Sequence, residues 1–190
     1  MAEKDWLVMT LSTRTMFAFV AGLSVIPALG GLAVTGINWT ASAEETCCKE
    51  GDTTPPTELV AKFAKGQLHS PYPDYAKLAK DDPDLVKKFR APGCNECHGG
   101  TGGGGICPAL TQGVWFWGNT DDVLFRLITL GSADLEKQGY KRLGYGSVHA
   151  PMPPMGGTIK TSDDLWKIIA WIRSINPPGS NPPDKVLPAE

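Results

Sequence analysis

The sequence predicts an all-α protein in which three to five short helices are joined by long loops. Apolar residues recur three or four positions apart in separate segments, which is the spacing of one helix face. The chain of 190 residues contains 22 glycines and 16 prolines, so much of its backbone lies outside regular elements. Its formal net charge of −2 provides no basic surface for nucleic acid.

Residues 1–43 indicate a targeting or anchoring segment. No charged residue occurs from Met16 to Ile37, and Arg14 precedes this run. Ala41-Ser42-Ala43 matches a small-residue cleavage site, which favours a secretory signal peptide removed before Glu44. Because about 20 apolar residues span a bilayer, a retained membrane anchor is the alternative.

Residues 57–176 are predicted to form one domain, preceded by a linker at residues 44–56 and followed by a proline-rich tail at residues 177–190. Asn119 or Thr120 is expected to cap one helix, which Gly131 should end. Four apolar stripes mark the helices: Leu59, Val60 and Phe63; Leu85, Val86 and Phe89; Val123, Leu124, Leu127, Ile128 and Leu130; and Leu165, Ile168, Ile169, Ile172 and Ile175.

The segment Cys94-Asn95-Glu96-Cys97-His98 is the attachment signature of a c-type haem. The thiols of Cys94 and Cys97 would form thioethers with the haem, and the imidazole of His98 would bind the iron. Half of a zinc site is one alternative, but it needs a second pair of ligands. A thioredoxin-like dithiol is another, but it expects a strand and a helix around the motif.

The residues after this motif are expected to surround the haem. The glycine-rich run at 99–105 would pass close to the haem edge, where only glycine fits. The carbonyl of Pro108 would accept the Nδ1 proton of His98 and fix its tautomer. Leu110 would pack on the haem face or belong to the general core. The indole N–H of Trp115 would reach a haem propionate, or the ring would simply pack on the macrocycle.

The segment Met152-Pro153-Pro154-Met155 supplies a second candidate iron ligand. A methionine thioether paired with histidine raises the haem potential. Met152 is favoured, Met155 competes with it and His149 is a more distant candidate. His69 is a lone loop histidine, and such residues are usually solvated.

Three further cysteines remain. Attachment of haem through thioethers occurs outside the bacterial cytoplasm, where disulfides persist. Cys107 is expected to pair with Cys47 or Cys48, or all three are thiols. The adjacent Cys47 and Cys48 are not expected to bond each other, because that geometry is strained.

The order of helix, haem motif, Pro108, helix, methionine loop and terminal helix resembles a class I cytochrome c domain over about residues 57–176. In that family the methionine ahead of a Pro-Pro-aromatic-Gly-Gly run binds the iron. The resemblance therefore implies that Met152 is the sixth ligand and that Met155 takes the aromatic position. It also implies an all-α class I cytochrome c fold around one covalently bound haem c.

A narrower resemblance is to the cytochrome c-L group. It is carried by Pro108-Ala109-Leu110, by Trp115, and by Gly118-Asn119-Thr120-Asp121-Asp122 ahead of Leu124-Phe125. Members of that group accept electrons from periplasmic methanol dehydrogenases that use pyrroloquinoline quinone. The resemblance implies a quinoprotein alcohol dehydrogenase as the electron donor, and a cytochrome c or an oxidase as the acceptor.

The function expected from these features is periplasmic electron transfer rather than enzymatic catalysis. With His98 and Met152 on the iron, no coordination position stays open, and no acid–base pair accompanies the motif. Electrons would enter at a haem edge ringed by the glycine run and the loop at 152–155. The alternatives are a membrane-anchored subunit of a respiratory or photosynthetic complex, a general shuttle to a terminal oxidase, and a peroxidase-type haem enzyme. Membrane contact is expected only if residues 16–37 are retained.

Overall fold

The computed structural model describes residues 47–144, 146, 148–176, 179 and 181. The predicted signal or anchor segment, and all but two residues of the proline-rich tail, therefore lie outside the described residues. Six helices and no β-strand occur in the described part: α1 Pro56–Lys62, α2 Tyr75–Asp81, α3 Leu85–Arg90, α4 Cys94–His98, α5 Asp121–Lys137 and α6 Ser162–Ile175. None of these helices is long and apolar enough to cross a bilayer.

Most of the other helices pack against helix α6, which contacts α1, α2, α3 and α5. The ring of Phe89 in α3 lies 4.3 Å, centroid to centroid, from that of Trp171 in α6. The ring of Phe125 in α5 lies 4.5 Å from that of Trp166. Burial of each such side chain stabilises the fold by about 1.5–3 kcal/mol.

Side-chain caps begin the two long helices, and Thr120 is one of the two capping residues that the sequence predicts for α5. The hydroxyl of Thr120 accepts the N–H of Val123 at 3.3 Å, and that of Thr161 accepts the N–H of Asp164 at 3.1 Å. Each cap satisfies one of the N–H groups that have no partner inside the helix. Helix α2 was not predicted, because it is short and buries none of its residues fully.

The first helical segment of α5 ends at Gly131, as the sequence predicts. The φ of 76° and ψ of 166° at this residue are not helical, and a second helical segment that was not predicted follows to Lys137. Glycine adopts such a φ without the steric cost that other residues have. The second part of the helix is held in place because Leu135 is completely buried.

A buried ion pair joins α5 to the end of α1. The Nε of Arg126 donates to Asp122 Oδ1 at 3.0 Å, and both side chains are almost completely buried. The guanidinium also donates to the carbonyl oxygens of Val60, Phe63 and Ala64, at 3.3, 2.7 and 2.8 Å. These carbonyls lie at the C-terminal end of α1, where a cation is favourable.

Burial alone would raise the pKa of Asp122, but hydrogen bonds from Tyr140, the backbone of Gly66 and Arg126 hold that pKa below its ordinary value. A carboxylate whose pKa is lowered by folding stabilises the fold above its unfolded pKa of about 4. That contribution is lost as the pH falls through the lower folded value.

Part of the predicted linker is held against α6. The N–H of Asp163 donates to the carbonyl of Asp52 at 3.0 Å, and that of Ser162 to the carbonyl of Thr54 at 2.8 Å. The N–H of Gly51 donates to Asp163 Oδ1 at 2.9 Å. The segment at 51–54 thus supplies acceptors for the first turn of α6.

We predict that Arg126→Ala lowers the free energy of unfolding by about 3–5 kcal/mol, because it leaves the buried carboxylate of Asp122 without its charge partner. Denaturant unfolding of the pigmented protein, followed by circular dichroism, measures this change. The control is Lys77→Ala, which removes the exposed α2 ion pair with Asp81 and should cost less than about 1 kcal/mol. Equal effects of the two substitutions would contradict the role given to Arg126.

Candidate functional site

An apolar cavity of about 1080 Å³, including its open mouth, lies between α3, α4, α5, α6 and the loops that join them. Sites for cofactors are concave and have a mainly apolar lining. Three aromatic residues of one loop line the cavity: Trp115, Phe116 and Trp117. Apolar side chains of the two long helices complete the lining: Leu124, Leu127, Ile128, Ile168 and Ile172.

Most of the residues that the sequence predicts to bind haem line this one cavity: Cys94, His98, Pro108, Leu110, Trp115 and Met152. Cys97 is not among the lining residues, although it belongs to the same helical turn as Cys94 and His98. The fold therefore brings Met152 to the same cavity as the motif at 94–98, which is distant in sequence.

The imidazole of His98 is fixed by the loop that follows it. Its Nδ1 lies 2.9 Å from the carbonyl oxygen of Pro108, as the sequence predicts. A carbonyl can only accept, so the Nδ1 carries the proton and the Nε2 keeps its lone pair. This is the state in which the Nε2 of histidine can bind a metal ion.

The glycine-rich run does not line the cavity, so its predicted place at a haem edge is wrong. It folds back onto the C-terminal end of α4, where the N–H of Gly104 donates to the carbonyl of His98 at 2.9 Å. A Cβ on Gly105 would lie 2.8 Å from the carbonyl oxygen of Cys97. Glycine is therefore needed for close packing of backbone on α4.

The cysteine pairing also differs from expectation, because Cys47 and Cys48 bond each other. Their Cα atoms are 3.7 Å apart, as the trans peptide between neighbours requires. Cys48 adopts a φ of 74°, and this turn of the backbone accompanies the bond between the two sulfurs. Cys107 forms no disulfide; its N–H donates to the carbonyl of Cys97 at 3.1 Å, and the two thiols are hydrogen-bonded.

The electrostatics of these thiols argue against a thioredoxin-like pair. Burial raises the pKa of the Cys94 thiol to about 11. Burial and the hydrogen bond with Cys97 also raise the pKa of Cys107. A catalytic dithiol needs a lowered pKa, because the thiolate is the reactive form. Within the described ranges, no three His, Cys, Asp or Glu side chains are grouped so that they could hold a metal ion.

One buried hydrogen-bond donor of the cavity lining, the Nε1 of Trp115, has no acceptor among the described residues. Buried donors nearly always have a partner, so this N–H fits a carboxylate that a bound group would bring. The Nε of Arg173 is also unpartnered, but Arg173 does not line the cavity and its guanidinium donates to Asp121 Oδ1 at 2.8 Å. The Nε1 of Trp166 is also unpartnered, but this ring packs on Phe125 and does not line the cavity.

The alternative iron ligands Met155, His149 and His69 are not among the residues that line the cavity, although both chain neighbours of His149 are. Met155 packs against the hydrophobic core, as Met152 also does. Several lining residues were not predicted from the sequence: Phe89, Ser132, Arg142, Val148, Ala150 and Asn176. They come from separate helices and loops, so no single sequence motif contains them.

Residues 84–176 match the cytochrome c family model. This range runs from the start of α3 to the end of α6 and includes every residue predicted to bind haem. Over these residues, a little under half of the chain, the sequence is similar to a cytochrome c domain. Its fold is the all-α class I cytochrome c fold, and its cofactor is covalently bound haem c. No curated protein and no solved structure matches the chain significantly.

The residues at the cavity of this cytochrome c domain fit the haem group. The lining is apolar, the imidazole of His98 is oriented by the Pro108 carbonyl, and the unpartnered Nε1 of Trp115 can donate to a carboxylate. The domain match supports an electron-transfer protein that works with redox partner proteins.

We predict that alkylation of the denatured, haem-containing cytochrome modifies Cys107 alone, because Cys94 and Cys97 would be in thioethers with the haem, while Cys47 and Cys48 are bonded to each other. After reduction with dithiothreitol, Cys47 and Cys48 should be modified as well. Peptide mass mapping measures both states, and Cys107→Ser should abolish the modification that precedes reduction. Labelling of Cys47 and Cys48 without reductant would contradict the pairing.

Proposed function

We propose that this cytochrome carries single electrons with His98 and Met152 as axial ligands and with Cys94 and Cys97 as the thioether residues. The observation that carries the proposal is that His98, whose ring is oriented by Pro108, and Met152, whose side chain contains a sulfur atom, line one apolar cavity. The bound haem supplies reversible exchange of one electron between ferrous and ferric iron.

The side chains around the cavity support electron transfer without bond-making chemistry. The guanidinium of Arg142 donates to the carbonyls of Gly144 and Gly146, at 3.1 and 2.6 Å. The Oδ1 of Asn176 accepts the N–H of Gly113 at 2.8 Å. Both of these polar side chains are thus hydrogen-bonded to backbone.

The apolar lining has a second role in this proposal. It limits the access of water to the site, and burial is one of the factors that set a haem potential. The buried Nε1 of Trp115 would donate a charge-assisted hydrogen bond to a propionate. The carbonyl of Pro108 keeps the His98 ring in a single orientation.

The proposed location is the bacterial periplasm, and the proposed donor is an alcohol dehydrogenase that uses pyrroloquinoline quinone, such as a methanol dehydrogenase. The location is supported by the signal-like segment at 1–43 and the need to attach haem outside the cytoplasm. The donor is supported by the similarity of Pro108-Ala109-Leu110 and Gly118–Asp122 to cytochrome c-L. The proposed acceptor is a further cytochrome c or an oxidase.

A second candidate is a membrane-anchored cytochrome c subunit of a larger respiratory complex. The uncharged run from Met16 to Ile37 favours it, since its length suits a bilayer. Mass spectrometry of the protein purified from its own cells distinguishes the two, because an N-terminus at Glu44 excludes the anchor.

We predict that the oxidised cytochrome shows a low-spin spectrum with a sulfur-to-iron charge-transfer band, and that Met152→Ala abolishes this band. The reason is that the substitution removes the proposed thioether ligand. Met155→Ala is the matched control and should keep the band, because Met155 does not line the cavity. A high-spin wild-type spectrum, or loss of the band in the control alone, would contradict the ligand assignment.

We predict that a purified quinoprotein alcohol dehydrogenase with its alcohol substrate reduces the cytochrome at micromolar concentrations. Stopped-flow absorbance of the haem measures the rate. Ascorbate serves as the control, because it should reduce an accessible haem without any protein docking. Reduction by ascorbate but not by the dehydrogenase would rule out the proposed donor and keep the electron carrier.

A further inference from the structure

The break in α5 at Gly131 redirects the hydrogen bonds of the helix. In a regular helix the N–H of Ser132 would donate to the carbonyl of Ile128, four residues earlier. At the break, Gly131 has φ 76° and ψ 166°, and the N–H of Ser132 donates instead to the carbonyl of Met152 at 3.0 Å. One helix donor is thereby transferred to the loop that carries the proposed iron ligand.

The carbonyls released by the break accept N–H groups of the same loop. The carbonyl of Ile128 accepts the N–H of Met155 at 2.9 Å, and that of Thr129 accepts the N–H of Gly156 at 3.1 Å. The loop therefore replaces the helix's own donors at two positions in succession. The carbonyls of Ile128 and Thr129 therefore do not stay unpaired, which would cost free energy. The loop is fixed to α5 at Met152 and again at Met155 and Gly156.

The hydroxyl of Ser132 completes the attachment of the Met152 backbone. It accepts the N–H of Met152 at 3.0 Å, while the N–H of Ser132 binds the carbonyl of the same residue. Both polar backbone groups of Met152 are thus bound by one serine. Ser132 is 8% exposed and lines the same cavity as Met152.

Glycine at position 131 is required for this arrangement by two separate constraints. Its positive φ is one that side chains with a Cβ rarely adopt. A Cβ at this position would also lie 2.7 Å from the carbonyl oxygen of Met152 and 2.8 Å from the nitrogen of Pro154. Since both neighbours are backbone atoms, any larger residue would push the methionine loop away from α5.

We propose that the break in α5 is a positioning device for the methionine ligand, with Ser132 as its positioning residue and Gly131 as the residue that allows the loop to approach. This inference rests on the proposed ligation of iron by Met152. Fixing the backbone of a loop residue costs conformational entropy. Because α5 already holds the methionine loop, the loop loses little further conformational entropy when the thioether of Met152 binds iron. The methionine is therefore harder to displace.

The test is displacement of the methionine in the full-length, haem-containing cytochrome. Cyanide binding to the oxidised protein, followed by loss of the sulfur-to-iron band, reports how readily the thioether leaves. In Ser132→Ala the buried N–H of Met152 loses its acceptor, so the apparent cyanide affinity should rise about tenfold. Ser132→Thr keeps a hydroxyl and should restore the wild-type affinity.

The matched control is Ser174→Ala, which removes a hydroxyl that donates to the carbonyl of Trp171, away from the methionine loop. It should leave cyanide affinity unchanged. Gly131→Ala should act in the same direction as Ser132→Ala and more strongly. If it fails to fold, the serine variants still decide the question.

Cyanide affinity of Ser132→Ala within twofold of the wild type, with the sulfur-to-iron band present in both, would overturn the positioning role alone. An equal rise in Ser132→Ala and Ser174→Ala would also overturn it. Absence of the band in the wild-type protein would instead remove the proposed function, and the positioning role with it.

Discussion

The structure depends on the convergence of two distant segments on one apolar cavity. The motif at 94–98 forms a single helical turn, while Met152 lies in a loop that follows the long helix α5. Both segments line the cavity, and each is fixed by a hydrogen bond. The Nδ1 of His98 is bound by the carbonyl of Pro108, and the N–H of Met152 is bound by the hydroxyl of Ser132. A redox centre that changes only its electron count benefits from ligands held in this way, because little has to reorganise.

The remaining parts of the fold support these two attachments. Helix α6 provides the wall shared by the packed helices and contributes Ile168 and Ile172 to the cavity. The ion pair of Asp122 and Arg126 holds α5 to the end of α1, and the caps at Thr120 and Thr161 begin the two long helices. The cavity is therefore shaped by elements whose own stability comes from burial and from satisfied backbone groups.

Much of the candidate site could be predicted because its chemically important residues belong to short sequence motifs. Cys-x-x-Cys-His and the methionine ahead of two prolines place their ligands by spacing, and Pro108 follows the histidine within the same loop. Contributions from Ser132 and Asn176 could not be predicted, because each depends on which helix lies opposite. The glycine-rich run was misassigned for the same reason: sequence indicates that backbone must approach something closely, but not that the neighbour is α4.

The sequence by itself determined the helical stripes, the caps and the haem attachment motif, since these depend on residues within a few positions of one another. Only the tertiary structure decided that a second helical segment follows Gly131, because that segment depends on the burial of Leu135. It also decided that Cys47 bonds Cys48 and that Cys107 lies beside Cys97. The first pairing depends on the backbone conformation at Cys48, and the second depends on how the loop after α4 folds back. Cysteine spacing alone specifies neither of them.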